Sequence, residues 1–349
     1  MHAIVKTGPS AGFEHRADVA DAELRPGDVR IAVAAASICG TDRELVHYTA
    51  AAKAFGLNFP VVLGHEVSGV VIETGPTVTR VRTGDHVALE SHIACGRCYQ
   101  CSVGAAHNCL DMQLLGLHVS GGFAERTVVP ETACFRLPED VPLETGALFE
   151  SAGVAVHALQ RSGHTLAGES VLIAGGGPIG LVVAQLVQVQ GARDVVVVEP
   201  NPFRRALAEK LGATALSPTD DVVAHCHSRG ADRGGFDLAF DCSGVPSAFD
   251  TLLRSLRREA TVMCVGLSQT AFEIDTTAWV IKQGLTIKGS YGRALWSSWQ
   301  LLAALVSAQR LDLDAIVTHR MPLASFGEAL DLLDGDAGKV LLLPGVHPN

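Results

Sequence analysis

Val171-Leu172-Ile173-Ala174-Gly175-Gly176-Gly177-Pro178-Ile179-Gly180 is the stretch from which this chain is best read. Four apolar residues run into a G-x-G-x-x-G loop, and Pro178–Gln190 continues with helical apolar spacing. Strand, glycine turn and helix in that order form the context in which this motif holds a dinucleotide. Gly175 suits the turn, Gly177 lets a pyrophosphate approach the backbone, and Gly180 lets helix and strand pack closely. The helix N-terminus then faces the phosphates. Glu199 stands at the end of the next apolar run, Val195–Val198. An acid there accepts hydrogen bonds from the adenosine ribose and repels a 2′-phosphate, which favours NAD over NADP. Arg204 and Arg205 follow closely and leave NADP as the alternative. Ile179 either lines the cofactor or joins the core.

Downstream of the loop the pattern alternates. Phe203–Leu211 reads as helix, and Phe236–Phe240 and Thr261–Val265 read as strands. Alternating strands and helices imply a parallel, doubly wound (Rossmann) sheet. The alternation ends near Lys288-Gly289. Leu295–Ser307 and Ala324–Asp334 look helical, and Lys339–Leu343 is a last strand. Upstream, the first 150 residues are short β-like runs with turns, among them Val29–Ala34, Val67–Glu73, His86–Leu89 and Ala124–Val129. The expected organisation is an α/β chain of two domains. One is mostly β, from residues 1–150 with the tail 292–349 returning to it; the other is the Rossmann unit, 151–291.

Composition bounds the function. With 349 residues, 48% apolar, two cores are affordable. A formal charge of −10 without a Lys/Arg block argues against nucleic acid or an anionic membrane as partner. No apolar run reaches the roughly 18 residues of a membrane span. The N-terminus lacks the pattern of a secretory signal, so a cytoplasmic protein is expected. Nine cysteines, an odd number, speak against a disulfide framework.

Four of those cysteines, Cys95, Cys98, Cys101 and Cys109, follow C-x2-C-x2-C-x7-C. Zinc prefers four thiolates in a tetrahedron, and such a set leaves no position for water, so it reads as a closed structural site. A catalytic zinc instead needs about three protein ligands and an open position. Cys39, in Cys39-Gly40-Thr41-Asp42, and His65 and Glu66, in Gly64-His65-Glu66, supply such ligands, with Glu150 as a further acid. His65 and Glu66 are adjacent, so a bend must turn both inward. Either glutamate could bind through water.

These motifs together resemble the zinc-containing medium-chain dehydrogenases over nearly the full length. Three stretches, Ser91–Gly96, Ile287–Arg293 and Ile316–Arg320, resemble the threonine dehydrogenases within that family. The resemblance implies a GroES-like catalytic domain beside the Rossmann domain, and NAD-dependent oxidation of a small-molecule secondary alcohol. It implies one catalytic and one structural zinc per chain, and a homo-oligomer, tetramer or dimer. It gives Cys39, His65 and Glu66 as catalytic zinc ligands, with Glu150 at or beside the ion. Thr41 becomes the hydroxyl that passes the substrate proton outward. Ile179, Glu199, Arg204, Val265, Gly266, Leu267, Ser290 and Tyr291 become cofactor contacts. Two positions depart from the pattern. Glu44 stands where the family usually has a proton-relaying histidine; it either relays protons itself or pairs with Arg43 or Lys53 as a solvated glutamate. Val154 stands where threonine dehydrogenases carry asparagine, which keeps polyol, sugar or diol substrates as the alternative.

Overall fold

In the computed structural model, which describes residues 1–268 and 270–345, the chain divides into two units. The first comprises Met1–Ser151, Ala294–Ala308 and the segment from Val317; the second comprises Ala152–Arg293 and Gln309–Ile316. The tail was expected to return whole from residue 292, and here the structure corrects the boundary. Gln309–Ile316 stays with the second unit because Gln185 clamps it. Its Nε2 donates to the Asp312 carbonyl at 2.9 Å, and its Oε1 accepts from the Asp312 N–H at 3.0 Å.

The first unit is built on β-structure. Its largest sheet runs Cys134–Arg136, His86–Leu89, Glu66–Thr74, Asp28–Ser37, Lys339–Leu343, Val317–Pro322, with Arg126–Pro130 also on Asp28–Ser37. Asp28–Ser37 alternates half-buried and buried positions along most of its length, the period-2 pattern of a strand with one face on a core. Val29, Ile31 and Val33 supply that face, against Val67, Val71, Val87 and Leu89. Lys339–Leu343 pairs antiparallel with the end of Asp28–Ser37, Leu341 opposite Ser37. The last strand of the chain is thereby placed beside the strand that leads into Cys39.

The second unit is a six-stranded parallel sheet in the order Thr214–Leu216, Asp194–Val198, Ser170–Ala174, Phe236–Asp241, Leu256–Cys264, Thr286–Gly289. Ser170–Ala174 is buried throughout, as a strand covered on both faces must be. The order reverses at Ser170–Ala174, the topological switch point where ligands of such sheets bind. Helix Pro178–Val189 starts with Gly177 as N-cap and Pro178 in its first turn, whose missing N–H costs nothing there. Leu256–Cys264 starts five residues earlier than the expected Thr261. Its polar Arg257-Arg258-Glu259 start hides the strand, which the Asp237 carboxylate anchors by accepting from Arg257 Nε at 2.7 Å.

Candidate active site

The glycine loop of the second unit has the geometry its motif requires. Gly175 has φ +99°, and a Cβ on Gly180 would lie 1.9 Å from the Gly175 carbonyl oxygen, so neither position accepts a side chain. A Cβ on Gly177 would meet nothing within 4 Å, which leaves the backbone at the helix start approachable. The Glu199 side chain is buried and spans the loop: Oε2 accepts from the Gly176 N–H at 2.7 Å and Oε1 from the Asn201 N–H at 2.9 Å. Arg205 turns back, donating through Nη1 to the carbonyls of Glu199 and Pro200. The Arg204 N–H lies 3.4 Å from the capping Asn201 Oδ1.

Other expected cofactor contacts gather at the carboxyl edge of the same sheet. Val265 and Gly266 donate backbone N–H bonds to the Asp241 carbonyl at 2.9 and 2.8 Å. The Leu267 and Tyr291 side chains are exposed. Ser290 donates its N–H to the Cys264 carbonyl, and its buried Oγ has no hydrogen-bond partner among the described residues. Ile179 is half-buried, whereas Gly180 and Leu181 turn into the core. These residues fit a dinucleotide: a side-chain-free turn, an open helix start and a carboxylate already fixed by N–H donors.

In the first unit, one potential ligand atom from each of Cys39, His65 and Glu66 lies within 4.8 Å of the others. Gly64 makes the bend that the adjacent pair needs. It has φ +96°, and a Cβ there would stand 2.5 Å from the Phe123 ring. Glu66 then opens the strand Glu66–Thr74, opposite Ser37, while His65 lies outside it. Asp42 ties two ligands together. Its Oδ2 accepts from the Cys39 N–H at 2.9 Å, and its Oδ1 is 3.4 Å from His65 Nδ1. This places an acid behind the imidazole, as is usual for a ligating histidine, at a separation longer than a hydrogen bond. Burial opposes the charged form of His65, but Asp42 and then Cys39 outweigh it and hold the imidazole well above its ordinary value. Glu66 is fully buried, and its Oε1 has no hydrogen-bond partner among the described residues. A buried oxygen left unmet beside a thiol and an imidazole fits a zinc ion.

Glu150 falls outside that group; its Oε1 accepts from Ser91 Oγ at 2.6 Å. Thr41 and Glu44 lie on helix Gly40–His47 at i, i+3 spacing and so share a face. Glu44 Oε2 accepts from Thr49 Oγ1 at 2.5 Å, while Arg43 pairs with Asp334 and the Lys53 ammonium lies over the Tyr48 ring. Lys339, missed by sequence reading, donates from Nζ to Glu66 Oε2 and towards the Ile38 carbonyl at 3.4 Å. Its one signal was a lysine opening an otherwise apolar final strand.

Cys95, Cys98, Cys101 and Cys109 form the second group, their sulfurs also within 4.8 Å of one another. Backbone N–H groups point at them: Cys95 and Asp111 donate to Cys109 Sγ at 3.2 and 3.4 Å, and Leu110 to Cys98 Sγ at 3.5 Å. The N–H groups of Leu110 and Cys101 push the Cys98 thiol down to about 6, whereas burial and the neighbouring thiols push Cys101 up to about 12, so one sulfur of the four ionises most readily. Four sulfurs with amide donors, and no other ligand grouped with them among the described residues, fit a closed zinc site.

Sequence comparison agrees with this chemistry. The family described as "Alcohol dehydrogenase GroES-like domain" matches residues 25–139, and "Zinc-binding dehydrogenase" matches residues 178–308. The chain belongs to the zinc-dependent dehydrogenases, and it is an alcohol dehydrogenase that uses zinc and a nicotinamide dinucleotide, NAD(P). L-threonine 3-dehydrogenase of Pyrococcus abyssi is 36% identical over 346 residues, 98% of each chain. Among solved structures, 2R,3R-butanediol dehydrogenase from Bacillus subtilis superposes with a TM-score of 0.88 at 30% identity, covering 99% of each chain. A zinc-binding dehydrogenase from Sinorhizobium meliloti 1021 bound to NADP gives 0.86 at 31%, covering 98% of this chain and 99% of that one. Among the described residues no helix is long and apolar enough to cross a membrane.

Proposed function

We propose that the chain oxidises a small secondary alcohol that carries a neighbouring amine, threonine being the reference substrate, with NAD⁺ as acceptor. The observation that carries the chemistry is the buried, unmet oxygen of Glu66 beside Cys39 and His65. The substrate class rests on full-length similarity to L-threonine 3-dehydrogenases. In this reading residues 1–150, with most of the segment after 292, form the catalytic domain, and 151–291 the Rossmann domain. Cys39, His65 and Glu66 hold the catalytic zinc, with Glu150 beside it, and Cys95, Cys98, Cys101 and Cys109 hold the structural one.

Bound in these places, zinc would acidify the substrate hydroxyl and the dinucleotide would accept hydride. The remaining work falls to side chains. Asp42 holds the Cys39 backbone through its N–H and stands with Oδ1 3.4 Å from His65 Nδ1, behind the imidazole. Thr41 Oγ1 takes the substrate hydroxyl proton as its own hydroxyl proton leaves for Glu44, on the same helix face, whose carboxylate the Thr49 hydroxyl orients. Glu199, held by Gly176 and Asn201, keeps acceptor oxygens for a ribose diol and opposes a 2′-phosphate, which supports NAD. Gly175, Gly177, Ile179 and Gly180 take the pyrophosphate side. Arg204, Val265, Gly266, Leu267, Ser290 and Tyr291 complete the cofactor contacts.

A second reading, a polyol, sugar or diol dehydrogenase, is favoured by Val154 and by the similarity to butanediol dehydrogenase. Comparing kcat/KM for L-threonine, 2,3-butanediol and a polyol series with NAD⁺ separates the two; threonine below the diols overturns the first. The proposal includes a cytoplasmic homo-oligomer, dimer or tetramer, as related enzymes often are. Nine free cysteines are consistent with a reducing compartment. Light scattering on the purified enzyme tests the assembly, and a monomer would refute it.

A further inference from the structure

Lys339 is buried, at 2% exposure, and Glu66 is at 0%. Burying an ammonium is costly unless it is paired and hydrogen-bonded. The strand it opens continues Val340-Leu341-Leu342-Leu343, and an apolar residue at its head would avoid that cost. Nζ contacts both chain segments that deliver ligands: Oε2 of Glu66, and the carbonyl of Ile38, the residue before Cys39. The Glu66 carboxylate is thus divided. Oε2 is held by the ammonium, and Oε1 has no hydrogen-bond partner among the described residues.

We propose that Lys339 is a positioning residue that restrains Glu66, so that the ion at Cys39 and His65 is bound more loosely and released faster than that ligand set alone would dictate. The inference rests on the reading of Cys39, His65 and Glu66 as the zinc set. Two physical effects carry it. The ammonium offsets the formal charge of Glu66, so this carboxylate draws an incoming dication less strongly. The ammonium also competes for the carboxylate, leaving one oxygen to approach the ion. A catalytic site needs an open coordination position, and a Glu66 free to close fully would fill it.

Zinc release from the fully loaded chain to a chromogenic chelator tests this, in kinetics that need no turnover. The phase belonging to the catalytic ion is the one absent from Cys39→Ser. Lys339→Met should slow that phase by about 10–100-fold, the range in which neighbours of ligands alter metal affinity, and leave the four-cysteine phase unchanged. Lys339→Gln keeps a hydrogen bond to Glu66 without the charge and should slow release by less; it decides alone if the Met variant fails to fold. In a Glu66→Gln background, Lys339→Met should change release by less than about twofold, since the coupling runs through that carboxylate. Release as fast as wild type or faster overturns the inference, as does equal slowing in the Glu66→Gln background. If Cys39→Ser retains both ions, the zinc reading itself fails. If it loses one while Lys339→Met releases at the wild-type rate, the inference fails alone.

Discussion

The two cysteine-containing groups are built over very different lengths of chain. Cys95, Cys98, Cys101 and Cys109 come from one short segment, and their sulfurs receive N–H groups from that segment: Cys95, Leu110 and Asp111. Cys39, His65 and Glu66 come from a helix start, a bend and a strand, and they are buttressed by Asp42 and by Lys339 from the far end of the chain. The local group needs only a folded loop to exist. The assembled group exists only when the sheet has brought Asp28–Ser37, Glu66–Thr74 and Lys339–Leu343 together. A closed site can therefore be written into a motif. An open one is held by elements that leave a coordination position unfilled, and that is a tertiary property.

The comparison is most sharply broken at Cys39. Cys39→Ala should cut turnover by several orders of magnitude while the protein stays folded with one zinc per chain, because the sheet that assembles the site does not depend on the ion. Metal analysis beside a thermal melt checks this, and a melt as damaged as that of a four-cysteine variant would erase the distinction. Next in size is Glu44. Glu44→Gln keeps shape and hydrogen bonding but cannot take a proton, and kcat should fall by something like 10²–10⁴-fold, or less where water substitutes. Glu44→His should recover part of the rate, with its pH dependence moved towards about 6.5. An unchanged kcat and pH–rate profile in the Gln variant would return Glu44 to a surface role beside Thr49.

Cys98→Ala probes the local group. It should remove the other zinc and lower Tm by at least about 5 °C, leaving turnover per folded molecule nearly intact. Loss of turnover at full stability would mean that the two groups are coupled. The smallest effect expected is at the glycine loop, a second local device. Glu199→Ala should narrow the NAD⁺ preference by about tenfold in kcat/KM, through loss of a ribose acceptor and a repulsive charge. A wild-type enzyme that prefers NADP⁺ would reverse that assignment and turn attention to Arg204.

Sequence alone determined those parts whose chemistry is complete within a few residues of chain. The C-x2-C-x2-C-x7-C spacing, the turn at Gly175–Gly180 and the alternation of strand and helix around it all follow from local rules of sterics and ligand geometry. Resemblance to the wider family added roles to Thr41, Glu44 and Glu150 that spacing does not carry. Tertiary structure decided what depends on burial and on distance between remote segments. It placed Asp42 behind His65 and Ser91 on Glu150. It gave Gln309–Ile316 to the second unit through Gln185, and started Leu256–Cys264 earlier because Asp237 compensates Arg257. Above all it put Lys339 against Glu66. A charge in a sequence reads as solvated by default. Only packing reveals that its water has been removed and its partner chosen, because the cost of burying it is met by one carboxylate that lies far away along the chain.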